Sequence, residues 1–192
     1  MSKAVMLSVR PKWCEKIASG EKTIEVRKTR PKLDTPFKCY IYCTMPDAKD
    51  PHQILEIHGA GGKIRKANGE VLGEFVCDCI TPLYNVCMDD WKRLAGGLHN
   101  IEKELVNQAC LTEANLHTYA GGKNCFAWHI SDLRIYDQPR ELTEFRRACQ
   151  NSWYCESCAM YWENNGTCGN ESLQIRRPPQ SWCYVEAMKD EY

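Results

Sequence analysis

The chain has 192 residues, 43% of them hydrophobic and 26% charged, with 25 Lys/Arg against 25 Asp/Glu and no net formal charge. That length and balance fit one globular domain with room for a small appended module, and argue against a disordered or fibrous chain. No apolar run approaches the roughly 18 residues of a bilayer-spanning helix, and the N-terminus lacks a signal-peptide layout, so the expected location is cytoplasmic with no membrane partner.

The charge is uneven along the chain. Residues 1–66 carry fourteen Lys/Arg and seven Asp/Glu, an excess of seven cations, and residues 67–192 carry the compensating anions. Lys22, Arg27, Lys28, Arg30 and Lys32 crowd into eleven positions. A basic third beside an acidic remainder points to an anionic partner, unless folding mixes the signs.

Residues 4–9 read as a first strand. Arg10 to Ala18 reads as a helix, with Pro11 in its first turn, an apolar stripe of Trp13, Cys14 and Ile17, and Gly20 after its end. In the next strand, 23–28, Ile24 and Val26 alternate with Thr23, Glu25 and Arg27, so period two sends the first pair to a core and the other three to the opposite face. Residues 37–44 make a third, β-prone strand. Residues 45–70 read as a long inserted loop, with a hairpin at Asn68-Gly69. One strand follows over 71–84, then a helix from Asp89/Asp90 to Val106 broken at Gly96-Gly97, and a shorter helix capped by Thr112. Residues 125–136 read as another strand, 139–148 as a helical turn, and 181–186 as a closing strand. Residues 149–180 show no periodicity. The order predicts an α+β fold: a small, mostly antiparallel β-barrel with flanking helices.

Lys22, Glu25 and Arg27 form the first constellation. An ammonium, a carboxylate and a guanidinium close together offer donors and acceptors to a planar polar ligand; a solvated strand face with an incidental ion pair is the plainer alternative. The second is Cys149-x5-Cys155-x2-Cys158-x9-Cys168. A Cys-x2-Cys knuckle with two further cysteines suits one tetrahedral structural zinc, with Cys183 as a substitute for Cys149; free thiols or a redox pair at Cys155/Cys158 are the alternatives. The total of thirteen cysteines is odd, which argues against a complete internal disulfide framework, and most of the others sit in strand-like stretches as small hydrophobes. The sequence has no Walker loop, dinucleotide glycine fingerprint, Ser-His-Asp signature or His-Glu-x-x-His helix.

Leu7-Ser-Val-Arg-Pro-Lys-Trp13, followed by Gly20-x-Lys22-x-x-Glu25-x-Arg27, resembles the signature of ASCH domains in the PUA-like superfamily. Gly73–Cys77 and Tyr119–Leu133 resemble later strands of that family, and Arg177–Glu186 resembles the tail of a phage and gut-bacterial subset. The resemblance implies a PUA-like domain over 1–148 and a Cys-rich, zinc-binding segment with a closing strand over 149–192. It also implies a cleft that binds RNA or a modified nucleobase or nucleotide, lined by Ser8, Arg10, Lys22, Glu25, Arg27, Glu74, Trp128, His129, Gln180 and Ser181. One of Trp128 and His129 should face the core and the other the cleft. A related branch hydrolyses N4-acylated cytidine with a lysine, a threonine and a glutamate. Its lysine falls on Lys22, its threonine position holds Glu25, and Glu74 or Glu113 would have to supply the glutamate. Nucleoside amidohydrolysis with Lys22 as catalytic residue is therefore the alternative activity. A phage accessory protein that captures a nucleotide signal or a host protein is a third reading.

Overall fold

The structure, a computed structural model, describes residues 3–46, 54–58, 64–83, 100–149, 158–163 and 168–188. Its first strand, β1 (Lys3–Val9), is buried on both faces from Ala4 to Leu7, which makes it an interior strand. It pairs antiparallel with β10 (Trp182–Glu186) on one side and parallel with β3 (Phe37–Cys43) on the other. β3 pairs with β6 (Val71–Cys77), and β6 with β9 (Ser131–Arg140), giving the order β10-β1-β3-β6-β9.

The parallel step from β1 to β3 requires a crossover, and this crossover carries the Lys22 segment. Helix α1 (Pro11–Ala18) starts on Pro11 and buries Cys14 and Ile17. Gly20, at φ 77°, takes the left-handed turn that ends it. The chain then enters β2 (Ile24–Arg27), in a second sheet of order β2-β8-β7 with β8 (Cys125–His129) and β7 (Ile80–Leu83).

The continuous strands expected over 71–84 and 125–136 each divide in two. β6 ends at Cys77 and β7 begins at Ile80; β8 ends at His129 and β9 begins at Ser131. Each half belongs to a different sheet, so both strands turn a corner at the same place. There His129 N–H donates to the Cys79 carbonyl at 3.0 Å, and His129 Nδ1 lies 2.6 Å from Asp78 Oδ1. Register shifts in the β6–β9 ladder and a φ of 46° at Asp132 accommodate the bend. The change of pairing partner also corrects the barrel expectation: the fold is α+β and mostly antiparallel, but among the described residues its sheets do not close into one barrel.

The inserted segment contains an antiparallel pair of β4 (Glu56–His58) and β5 (Ile64–Lys66); Asn68-Gly69 is a turn, but it leads from β5 to β6 and does not join that pair. Asn68 instead ties the base of the insertion: its Oδ1 accepts from Leu55 N–H at 2.9 Å and its Nδ2 donates to the Thr44 carbonyl at 3.1 Å. Helix α2 (Asn100–Gln108) is the described end of the helix expected from Asp89/Asp90; the start of that helix and its glycine break lie outside the described residues. Helix α3 (Glu113–Ala120) is capped by the Thr112 hydroxyl, which accepts from Asn115 N–H at 3.1 Å. The helical turn expected over 139–148 is a 3-10 turn at Leu142–Glu144. β9 runs through Pro139, which its position on a sheet edge tolerates, and reciprocal bonds between Glu141 and Glu144 close the turn. Helix α4 (Ala159–Glu163) buries none of its residues.

Three apolar clusters result. Val5, Leu7, Cys39, Ile41, Leu72, Phe75 and Trp128 fill the space on one face of the large sheet. Ile24, Val26, Leu83 and Ala127 pack against Val106 and Leu116 of α2 and α3. Met6, Tyr40, Phe145, Ile175 and Val185 cover the far face of the large sheet, so the chain after residue 170 packs onto the sheet that β1 begins. No helix among the described residues is long and apolar enough to cross a membrane.

Candidate functional site

The alternation in β2 holds, with a consequence that periodicity alone does not give. Ile24 and Val26 meet the helices as expected. Glu25 and Arg27 take the other face, and that face is also covered. Lys22 is 3% exposed, Glu25 7% and Arg27 7%, and these are the only buried charged side chains among the described residues. The solvated ion-pair alternative is therefore excluded by burial.

Glu25 sits between the two cations, with Oε2 at 3.3 Å from Lys22 Nζ and Oε1 at 3.0 Å from Arg27 Nη2. Lys22 Nζ also donates to the Ile24 carbonyl at 2.7 Å and the Ala109 carbonyl at 2.9 Å, which ties it to the end of α2. Arg27 reaches the large sheet: Nη2 donates to the Ser8 carbonyl at 2.8 Å, and Nη1 to the Ser181 carbonyl at 3.2 Å and hydroxyl at 3.4 Å. The trio thus fastens β2 to β1, to the entry of β10 and to α2. It carries one more cation than anion in a poorly solvated place, where unbalanced charge is costly. Glu25 Oε2 and Arg27 Nε are buried without a hydrogen-bond partner, as is Trp128 Nε1; buried polar atoms in that state are exceptions that need a reason.

Trp128 lies opposite Glu25 in the β2–β8 ladder, so it shares the face of the trio. It is fully buried, with its ring at 5.9 Å from Phe37 and 6.1 Å from Trp182. His129 is one residue on and points to the other side, where it meets Asp78 with 44% of its side chain exposed. Of that pair, only Trp128 reaches the cluster. Ser8 joins through its backbone carbonyl, because its hydroxyl donates to the Pro179 carbonyl at 2.6 Å. Ser181 joins through both carbonyl and hydroxyl. Gln180 is exposed. Arg10 is exposed at the start of α1, where its backbone carbonyl accepts the first helical bonds. Glu74 is not part of the group: it lies on the far face of the large sheet, bonded to Lys38 Nζ at 3.2 Å and to the Tyr136 hydroxyl at 2.7 Å.

Two aromatics that the sequence reading did not single out flank the trio. The Trp13 ring lies 5.2 Å from Lys22 Nζ and 4.5 Å from Lys12 Nζ. The helical stripe sends Trp13 to the core, yet it is only half-buried. Tyr119 is 40% exposed, with Lys28 Nζ 5.2 Å from its ring. Burial pushes its hydroxyl pKa up, Arg27 opposes that rise and Glu25 adds to it. A signal for Tyr119 is present in sequence only as its place before Gly121 and Gly122, both at positive φ, which turn the chain from α3 into β8. Cys14, beneath the cluster, is held well above the usual thiol range by burial and by the neighbouring Cys43.

The cysteine set is only partly described. Cys155 lies outside the described residues. Cys149 and Cys168 are half-buried and Cys158 is exposed. Among the described residues no three His, Cys, Asp or Glu side chains form a group that could hold a metal. Cys183, the substitute ligand, packs against the Met6 and Tyr40 cluster, and burial raises its thiol pKa.

No family model matches the chain, and no curated protein matches it. Among solved structures it is similar to ASCH from Zymomonas mobilis, at 19% identity and a TM-score of 0.47, covering 95% of this chain and 87% of that one. Two single-residue mutants of the same protein give 18% identity: one has a TM-score of 0.47 and covers 96% and 91% of the two chains, the other 0.46, 95% and 88%.

Proposed function

We propose that this protein binds a nucleobase, within RNA or as a nucleotide, at the Lys22–Glu25–Arg27 cluster. One observation carries the reading: three charged side chains are buried together with a surplus positive charge, and among them a guanidinium N–H lacks a hydrogen-bond partner while a carboxylate oxygen is held only by its 3.3 Å ion pair with Lys22. A network serving stability alone gains little from such atoms, since burying charge incompletely bonded costs more than replacing it with apolar groups. A flat heterocycle with both donors and acceptors on its edge satisfies both kinds of atom.

Binding is preferred to amidohydrolysis because of what surrounds Lys22. Two of its N–H donors are taken by the Ile24 and Ala109 carbonyls, and its charge is paired with Glu25 Oε2 at 3.3 Å. Glu74 faces away on the other side of the large sheet. Glu113 sits exposed in the first turn of α3. Neither supplies the second acid–base group that cleavage of an acylated cytidine calls for.

The test is calorimetric titration with cytidine, adenosine, N4-acetylcytidine and short RNA oligomers at several salt concentrations. The expected result is binding that weakens as salt rises and is lost in the Glu25→Gln variant, with no cytidine released from the acetylated nucleoside. Absence of binding to every compound in the set, or binding that survives Glu25→Gln unchanged, overturns the proposal.

A further inference from the structure

The corner where both long strands change sheets gathers three side chains that the buried trio does not use. Ile80 pairs with Trp128 in the β7–β8 ladder, and the next step outward sets Cys79 opposite His129, whose N–H donates to the Cys79 carbonyl at 3.0 Å. Residues opposed in this way carry their Cβ atoms about 5 Å apart on one face of a sheet. Cys79 Sγ lies 3.8 Å from Thr81 Oγ1, two residues on, which keeps the thiol on that face. Trp128 and the trio lie on the other face of β8.

Asp78 orients the histidine. Its Oδ1 is 2.6 Å from His129 Nδ1, and this hydrogen bond is the main cause of its lowered carboxyl pKa. An ionised carboxylate only accepts, so Nδ1 carries the proton and Nε2 presents its lone pair. Among the described residues no hydrogen bond engages Nε2. Cys79 is exposed, and the side chains of His129 and Asp78 are each 44% exposed. A thiol, an imidazole opposite it and a carboxylate behind the imidazole are the parts of a base-assisted nucleophile. Cys77, two residues earlier, is buried, and its Sγ donates to the Cys79 carbonyl at 3.5 Å. Exposure and a basic neighbour therefore distinguish Cys79 from the adjacent thiol.

We propose that Cys79 is a site of covalent modification, a thiol that His129, oriented by Asp78, activates toward small disulfides arriving from solution. The Sγ–H proton passes to His129 Nε2 as Sγ attacks one sulfur of the disulfide. A new Sγ–S bond forms, the original S–S bond breaks, and the departing thiolate takes the proton from His129. One disulfide is consumed and one is made, so the small disulfide is the only oxidant the exchange needs. His129 is the base in this step, and Asp78 is a positioning residue.

The test follows the reaction of the whole protein with oxidised glutathione at pH 7, with the adduct on Cys79 quantified by mass spectrometry and N-acetylcysteine as the unassisted thiol. Cys79 should react about tenfold faster than N-acetylcysteine, a modest share of the roughly 10²–10⁴ that a positioned acid–base group supplies. His129→Gln should remove that advantage; it leaves the backbone bonds of β8 in place and changes a part-exposed side chain. Asp78→Asn should also slow the reaction, because an amide can donate to Nδ1 and move the proton to Nε2, and Asp78→Glu should restore most of the rate. At about pH 10, where ordinary thiols with a pKa of about 8.5 ionise without a base, wild type and His129→Gln should react equally. That last comparison separates a base from a residue that merely holds the corner open. Equal rates of wild type and His129→Gln at pH 7, a deficit in His129→Gln that persists at about pH 10, or a Cys79 no faster than N-acetylcysteine overturns the proposal. None of these outcomes bears on base binding, which uses the opposite face of β8.

Discussion

Glu25→Gln tests whether the trio is a buried charge network. The substitution keeps the shape and one acceptor oxygen, but removes the only anion between Lys22, 3.3 Å away, and Arg27, 3.0 Å away. Removing one partner of a buried pair costs about 3–5 kcal/mol, because the remaining charge stays desolvated. Here the remaining cations keep other acceptors: Ile24 and Ala109 carbonyls for Lys22, and Ser8 and Ser181 carbonyls for Arg27. The loss should thus fall at the lower end, about 3 kcal/mol. For a chain of this size that lowers Tm by about 6–12 °C. Urea unfolding followed by tryptophan fluorescence measures it, with the midpoint reduced and the slope m unchanged. Pairing Glu25→Gln with Lys22→Met should cost less than the sum of the two, since the second change removes a cation that the first left unpaired. A loss below about 1 kcal/mol, the range of exposed pairs, would falsify the claim that the carboxylate is cut off from solvent.

Four further outcomes are expected. Gly73→Ala should destabilise the fold by at least about 1–3 kcal/mol, because a Cβ there overlaps the Arg134 carbonyl and crowds Ile135 across the β6–β9 ladder; urea titration checks this. Asp78 has its pKa lowered chiefly by the hydrogen bond from His129. A depressed folded value adds stability above the unfolded carboxyl value of about 3.9 and loses it as pH falls through the folded one. The stability gap between wild type and Asp78→Asn should therefore close in acid, and it should not exceed about 1 kcal/mol at neutral pH, since the pair is part-exposed. Burial pushes the Cys77 thiol up to about 12, so maleimide at pH 8 should label exposed Cys79 and spare Cys77 by mass spectrometry. The spacing of Cys149, Cys155, Cys158 and Cys168 predicts one zinc per chain, measured by elemental analysis of the purified protein; a metal-free folded protein with four alkylatable thiols refutes it.

Much of the fold is legible because period two survives burial. The pattern of β2 assigns Ile24 and Val26 to one face and Glu25 and Arg27 to the other, as the structure has them. What period two does not encode is a change of sheet partway along a strand. The segments at Val71 and Cys125 keep β-prone residues through their corners, and only the three-dimensional pairing shows that Asp78, Cys79 and Ile130 sit at the bends. The helical turn after Arg140 is legible from the spacing of Leu142 and Phe145, which a single 3-10 turn delivers to the cluster on the large sheet. At the site, the motif places Lys22, Glu25 and Arg27 together. It cannot show that Glu74 faces the opposite side of a sheet, nor that Trp13 and Tyr119 hold lysines on their rings.

The guanidinium of Arg27 bonds to Ser8, 19 positions earlier, and to Ser181, 154 positions later. β1 leaves the ribosome well before its antiparallel neighbour β10. Arg27 therefore waits through 154 further residues before its partner Ser181 is made. Closure of so distant a loop is among the slowest steps a chain of this size takes. The Ser181 half of that pairing can form only after Ser181 is made, so a nascent polypeptide stalled before it holds Arg27 by Ser8 alone.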